Sequence, residues 1–494
     1  MNAGVLGLVQ VHSGPIRRPS NDSIAPLTEP ARTLQRCKSA PSGEDIELGP
    51  VRTKGTEFPT PVADTNNADL EMSRPATPDI PAEAVDVVPT VWEPYMNRFR
   101  LLAACIAGFT NGMSDSAAGA LIPYMEKYYN IGYATVSLIF VGQALGFIVS
   151  ATFLDALRIR LGHARLFGLS QILMTLAYVP IAANAPFPVI VFAFAFIGFG
   201  IGTNVAISNT FCGSLRNGTF MLGLLHGCYG VGGTAGPLVA TAIVTVADAV
   251  WSRYYLLTMG ACGASIVLAL WSFWHYEREL PWSLPTEQTP EQIANVSKAA
   301  MWNMFSSLKM KLVLLGSSFI FAYQGAEVSI SGWVISFLIE TREGAPSSVG
   351  YVTSGFWGGI TLGRFLLAHP AQKIGEKRFV YGLVIGALAM QLLVWFVPNV
   401  IGNAVAVSIV GFLLGPVYPC AMAVFLRAMS RNEALSGMGT ISAFGSMGGA
   451  VAPFLTGLIA QAVSPWVLHP IVITLFVGML LCWYCIPSTP KRQE

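Results

Sequence analysis

The sequence predicts an all-α membrane protein whose twelve transmembrane helices form two six-helix, pseudo-symmetric lobes. Three observations carry this prediction. Of the 494 residues, 53% are hydrophobic and only 11% are charged, whereas soluble domains carry about 25% charged residues. Twelve long apolar runs follow a polar first segment, and features of the first six runs recur 213 residues later.

The apolar runs each approach or exceed the ~20 residues that a helix needs to cross a bilayer. A polar segment divides them six and six. The runs lie near 100–122, 134–155, 165–183, 188–211, 221–247, 254–274, 311–338, 350–368, 379–397, 402–426, 436–461 and 467–486.

Composition sets the domain boundaries. Residues 1–96 are rich in Pro, Ser, Thr and acids and hold no long apolar run, so we expect a disordered tail. The lobes should span 97–275 and 309–487, with a linker at 276–308 and a short C-terminus at 488–494.

The basic residues predict the orientation. If both ends lie in the cytosol, 26 of the 29 Lys and Arg residues fall on the cytosolic side, and only Lys127, Arg253 and Arg342 lie outside. Cytosolic loops carry such an excess of positive charge. We therefore expect a cytosolic tail, linker and C-terminus, in the plasma membrane or alternatively in a vacuolar or other internal membrane.

The constant offset between the halves indicates a duplicated unit. Shifted by 213 residues, Asn111 and Gly112 fall on Gln324 and Gly325. The other matched sets are Gly142 and Gly146 with Gly355 and Gly359; Arg160, Gly162 and Arg165 with Lys373, Gly375 and Arg378; and Gly198, Phe199 and Gly202 with Gly411, Phe412 and Gly415. Internal repeats are common in transporter folds.

Two acids lie deep in apolar runs, Asp115 in the first and Glu327 in the seventh. Intramembrane carboxylates are rare and mark ion or proton pathways. Because burial and water access shift a carboxyl in opposite directions, we interpret both as candidate proton-coupling groups. His226, in the fifth run, is a third candidate. The alternative is a structural role for all three as hydrogen-bonded packing partners.

Polar and aromatic side chains within the runs are candidates for substrate binding. They are Asn111, Asn204, Asn209, Tyr229, Tyr323, Gln324 and Trp357. Amides and hydroxyls can bind a polar solute, and a tryptophan offers a flat face to a ring. Bonding between helices and anchoring at the bilayer interface are the alternatives.

The spacing of Gly223, Gly232, Gly236 and Pro237 in the fifth run resembles the antiporter motif of the major facilitator superfamily, although Ala240-Thr241 replaces its terminal glycine pair. A gating motif of that superfamily is resembled loosely by two loops. Its candidate residues here are Asp155, Arg160, Arg165, Arg364 and Arg378.

Within the superfamily, the sequence around Asn111–Asp115, Leu225–Gly230 and Tyr323–Glu327 resembles a fungal branch near the fucose-permease-type proton symporters. The resemblance covers residues ~97–487. It implies a membrane transporter with its substrate cavity between two lobes.

Several classes of activity lack their motifs. There is no GxxxxGKS or GxxxxGKT phosphate loop, HExxH, GxSxG or Cys/His cluster. We therefore expect no enzyme, no cofactor and no metal.

These observations predict a secondary transporter that alternates access and is driven by protons. Its expected partners are a small organic substrate, protons and the lipid bilayer, with no nucleic acid, and we expect a monomer. The fifth-run motif favours efflux of a metabolite or toxic compound. Proton-linked uptake of a sugar-like solute and a non-transporting membrane sensor are the alternatives.

Overall fold

The computed structural model describes residues 89–279, 306–429 and 431–486, and these residues form helices and connecting turns without a β-strand. The helices of the first half are α1 (Asn97–Tyr129), α2 (Tyr133–Val136), α3 (Leu138–Ala182), α4 (Phe187–Ser214), α5 (Gly218–Thr245), α6 (Tyr254–Phe273) and α7 (Tyr276–Glu279). Those of the second half are α8 (Lys311–Arg342), α9 (Pro346–Val349), α10 (Val352–Leu366), α11 (Ala368–Ile374), α12 (Glu376–Phe396), α13 (Val400–Leu414), α14 (Val417–Ala428), α15 (Arg431–Ala462) and α16 (Leu468–Cys485). Short 3-10 turns at Trp251–Arg253 and Pro465–Val467 precede α6 and α16.

Nine segments of the described residues are long and apolar enough to cross a membrane. One of them, Tyr133–Ala182, has 50 residues and turns back at Gly162, so it supplies two crossings. The polar helix α1, with 33 residues, and the short helix α10, with 15, complete the predicted twelve. The predicted all-α membrane fold is therefore confirmed.

Gly162 replaces the loop that the sequence predicted between the second and third spans. Helical hydrogen bonding continues through residues 156–161, and the chain reverses at Gly162, where φ is +74°. Only glycine adopts such a conformation readily. Gly375, 213 residues later, has φ of +96° between α11 and α12.

Helix packing repeats with the same offset. A Cβ at Gly198 would strike the carbonyl oxygen of Gln143, and one at Gly411 would strike that of Phe356. Glycine at these crossings lets the backbones of α3 and α4, and of α10 and α13, approach closely. Both residues of each pair are 213 positions apart in the two halves, so the duplication extends to helix contacts.

The two halves meet most closely at the end of the bundle that contains Tyr133. The rings of Tyr133 and Trp333 lie 5.6 Å apart. Thr241 Oγ1 donates a 3.0 Å hydrogen bond to the carbonyl of Gly350. We call this the Tyr133 end, and the opposite end, where α3 reverses, the Gly162 end. Contacts between the halves run along α1 with α8, α5 with α10, and α3 with α15.

Parts of the predicted tail and linker lie outside the described residues, namely 1–88, 280–305 and 487–494. Residues 89–96, which the sequence assigned to the tail, are bonded to the bundle. Asn97 Nδ2 donates to Thr90 O at 2.7 Å, and Arg216 N donates to Pro89 O at 2.8 Å. Glu279, assigned to the linker, forms a 2.7 Å ion pair with the buried Arg100.

Candidate functional site

Asp115 lies half-buried midway along α1, on the side that packs against α3 and α5. The hydroxyl of Tyr229 on α5 donates a 2.5 Å hydrogen bond to one carboxylate oxygen. Gln143 Nε2 on α3 donates to the other oxygen. Two donors from two helices thus fix the carboxylate, as a buried acid requires.

Glu327 occupies the middle of α8 and is 7% exposed. The guanidinium of Arg364 on α10 interacts with it electrostatically but forms no direct ion pair among the described residues. The hydroxyl of Tyr323, one turn before Glu327, is buried and has no hydrogen-bond partner in the described chain. An unpaired buried hydroxyl costs free energy, so this side of Glu327 has hydrogen-bonding capacity to spare.

Arg364 is the charged centre of the interface between the halves. It is half-buried, and its one hydrogen bond among the described residues runs from Nε to Gly415 O at 3.4 Å. Its charge acts on Tyr229 and His226 of α5 and on Tyr418 of α14, besides Glu327. The sequence placed Arg364 in a gating loop, whereas the structure places it within α10 and directs it inward.

The acids of the two halves belong to one electrostatic cluster. Asp115 interacts through its charge with Glu327, although one is held by α1 and the other by α8. Together with Gln143, Tyr229, Tyr323 and Arg364 they form what we call the central cluster. Two carboxyls that share one cation can hold a proton between them, because ionising both leaves an excess negative charge in a poorly solvated site.

Trp357 borders the central cluster on α10. Its Nε1 donates a 2.8 Å hydrogen bond to Ser331 Oγ on α8. Its ring lies 6.2 Å from that of Tyr229, at an angle of 63°. The pairing fixes both rings beside the two acids, where they form a flat apolar wall. Trp357 is therefore placed within the bundle rather than at a membrane boundary.

The predicted asparagines form a separate network inside the first half. Asn204, which is fully buried, accepts a 2.5 Å bond from Ser170 Oγ and donates to Asn111 Oδ1 at 3.4 Å. These bonds join α1, α3 and α4, which matches the alternative of bonding between helices. Asn209 Oδ1, further along α4, is buried without a partner in the described chain.

The remaining candidates of the central region differ in exposure. Gln324 is half-buried, and its amide oxygen faces Gly445 of α15. His226 is exposed on α5, one turn before Tyr229, and makes no hydrogen bond among the described residues. It lies close enough to Arg364 for their charges to interact.

The gating candidates lie at the Gly162 end, except for Arg364. Asp155 pairs with Arg158 at 3.2 Å, and the guanidinium of Arg165 lies 5.9 Å from the ring centroid of Trp274. Arg160 and Arg378 are exposed. A cavity of about 140 Å³ opens beside Asp155, Arg158 and His163, apart from the central cluster.

Two members of the central cluster were missed or misplaced from sequence. Gln143 is an isolated amide in an apolar run, a signal that could have marked it as the partner of an intramembrane acid. Arg364 is an arginine within the eighth apolar run, and its depth there was the signal that it serves the interior. Neither signal names the partner, because the partners lie on other helices.

Comparison with known proteins gives three independent likenesses. The family model of the Major Facilitator Superfamily matches residues 104–434 and 318–494. The yeast Saccharomyces cerevisiae protein "Bypass of stop codon protein 6" is 25% identical over 421 residues, which cover 80% of this chain and 84% of that protein. The "Glucose/galactose transporter" of Brucella abortus is 22% identical over 387 residues, or 74% of this chain and 89% of that protein.

A solved structure shares the fold. The nucleoside transporter NupG superposes with a TM-score of 0.61 at 12% sequence identity, and the match covers 78% of this chain and 98% of that chain. At this identity the likeness concerns the arrangement of helices alone.

Proposed function

The chain belongs to the major facilitator superfamily and is a multi-pass membrane transporter of small solutes, not an enzyme, and we propose that it couples solute movement to protons through Glu327 and Asp115. The observation that carries the proposal is the placement of both acids, one from each half, in a single cluster around Arg364. A rearrangement of the halves changes the surroundings of both carboxyls. Such a change alters their proton affinity, because solvation and neighbouring charge set it.

The solute is expected to bind between the halves beside these acids. Tyr229, Tyr323, Gln324 and Trp357 line or border that region and are the proposed contacts. Asn111 and Asn204 already satisfy each other and Ser170, which favours a structural role for them. Alternating access then proceeds by movement of one half against the other, with no ATP hydrolysis in this chain.

Two directions of transport are candidates. The glycine pattern of α5, which resembles the antiporter motif, favours efflux of a metabolite or toxic compound. Similarity to the Brucella glucose/galactose transporter over most of both chains favours proton-linked uptake of a sugar-like solute. We further propose a monomer in the plasma membrane with cytosolic termini, in line with the distribution of basic residues.

The decisive experiment uses reconstituted vesicles with a pH dye inside. Protein is presented with D-glucose, D-galactose and a panel of small organic solutes, and solute-dependent proton movement is recorded in both gradient directions. Glu327→Gln should abolish accumulation driven by the pH gradient and retain downhill exchange, because exchange need not move the proton. Asp115→Asn tests the second acid in the same way.

Glu340→Gln is the matched control, since Glu340 is an exposed acid of the same helix. It should transport like the parent protein. Gradient-driven accumulation by a well-expressed Glu327→Gln variant would remove Glu327 from the coupling mechanism. Solute transport without any proton movement in the parent protein would overturn the proposal as a whole.

A further inference from the structure

Arg364 presents an unused donor surface to the interface between the halves. Its Nε contacts Gly415 O at 3.4 Å, and its two terminal nitrogens make no hydrogen bond among the described residues. A guanidinium carries five N–H donors in a planar fork that matches a carboxylate. A half-buried fork without acceptors is therefore incomplete in the solute-free protein.

A second group beside Arg364 is also unpaired. The hydroxyl of Tyr323 is buried, with the residue 1% exposed, and it has no partner in the described chain. Both Glu327 and Arg364 interact with it electrostatically. The arginine and the tyrosine thus leave donors from α8 and α10 directed at the same region, and Glu327 borders that region.

The charges around this region can be counted by helix. The titratable and charged groups that face Arg364 or the acids are Asp115 on α1, His226 and Tyr229 on α5, Tyr323 and Glu327 on α8, and Tyr418 on α14. With neutral histidine and tyrosines, two ionised acids and one arginine leave an excess of one negative charge. One bound proton makes the cluster neutral.

From these donors and this charge balance we propose that the solute is a small organic monoanion whose carboxylate binds Arg364 and Tyr323, and that each anion enters the site with one additional proton. The inference rests on the proposed proton coupling and adds to it the charge of the solute. The proton binds the second carboxyl, so the loaded site holds two protonated acids, one arginine and one carboxylate and is neutral. A poorly solvated site strongly favours such neutrality.

The flat wall formed by Trp357 and Tyr229 suits the body of the anion. Their rings lie 6.2 Å apart beside the acids. Aromatic faces pack well against a ring. The inferred substrate class is therefore a ring-bearing or similarly flat carboxylate, and its transport with one proton moves no net charge.

Two matched series of compounds test the inference on the purified full chain in lipid nanodiscs. The first comprises benzoate, benzamide and benzylamine, and the second D-glucuronate, D-glucose and D-glucosamine. Within a series the skeleton is kept and the charge changes. At least one anion should bind about tenfold or more tighter than its neutral partner, since charge-assisted forked bonds are strong.

Variants of Arg364 identify the site. Arg364→Gln should reduce the affinity of the anion to that of its neutral partner, and Arg364→Lys, which keeps the charge and loses the fork, should give an intermediate affinity. Arg378→Gln, at an exposed arginine of α12, is the control and should bind like the parent protein. In vesicles, the uptake rate of the bound anion should follow the pH gradient and not an imposed potassium potential.

Three results would overturn the inference. They are a neutral or cationic compound that binds as tightly as its anionic partner, an anion whose affinity survives Arg364→Gln, and a lack of binding by every anion in both series. The proposed proton coupling fails separately, because it is measured by solute-dependent proton movement with neutral sugars as well. Glucose transport that requires Glu327 and not Arg364 would retain that proposal and remove this one.

Discussion

The hydroxyl of Tyr229 on α5 and the carboxylate of Asp115 on α1 are joined by a 2.5 Å hydrogen bond in the middle of the first half. Gln143 supplies the second donor from α3. The bond places an intramembrane acid in a fixed position beside Trp357 and the second half. It therefore links the packing of one half to the site between the halves.

Tyr229→Phe should destabilise the protein and weaken coupling together. The variant removes one of the two donors to Asp115 and leaves the ring in place. A lost bond to a charged group costs about 1.5–3 kcal/mol, which thermal unfolding in detergent can detect. Tyr124→Phe, at a half-buried tyrosine of the same bundle without a described hydrogen bond, is the control. Equal unfolding temperatures for Tyr229→Phe and the parent protein would contradict a stabilising role for this bond.

Gly162→Ala should destabilise the protein more than Gly375→Ala. Both glycines have positive φ, and a left-handed conformation costs a non-glycine residue roughly 1–2 kcal/mol. At Gly162 a Cβ would also meet the Glu277 carboxylate at 2.8 Å, whereas nothing lies within 4 Å of a Cβ at Gly375. Thermal unfolding of the two variants gives the comparison, and a larger loss for Gly375→Ala would be the contrary result.

Deletion of residues 1–88 should leave the unfolding temperature of the bundle unchanged, whereas deletion of 1–96 should lower it. The longer deletion removes Thr90, whose carbonyl accepts the 2.7 Å bond from Asn97, and Pro89, whose carbonyl accepts from Arg216. Each buried or half-buried bond contributes about 0.5–1.5 kcal/mol. Equal stability of the two truncations would show that these contacts do not fasten the start of α1.

Cysteine labelling should place the Tyr133 end outside the cell. A cysteine introduced at Lys127 or Arg342 should react with an impermeant reagent added to intact cells, and one at Lys373 should react only after permeabilisation. The reason is the predicted charge asymmetry between the two sides. The opposite labelling pattern would reverse the orientation, as would a glycan on Asn217.

Local chemistry in the sequence was sufficient for the architecture of this protein. A membrane span must satisfy its own backbone hydrogen bonds, so each crossing appears as an apolar run of sufficient length. The repeat was equally legible, because Gly162 and Gly375 meet the same local backbone requirement at an offset of 213. The acids were found for a related reason, since a carboxylate at membrane depth stands out among apolar neighbours.

Tertiary structure decided which polar groups meet. Arg364 and Glu327 lie 37 positions apart, and Gln143 and Asp115 lie 28 positions apart, so no periodicity of one helix relates them. Their contacts depend on how α10 is rotated toward α8, and α3 toward α1, which is set by close-packed crossings such as Gly198 against Gln143. The sequence determined which residues are costly in a membrane, and the packing of whole helices determined which partner offsets each cost.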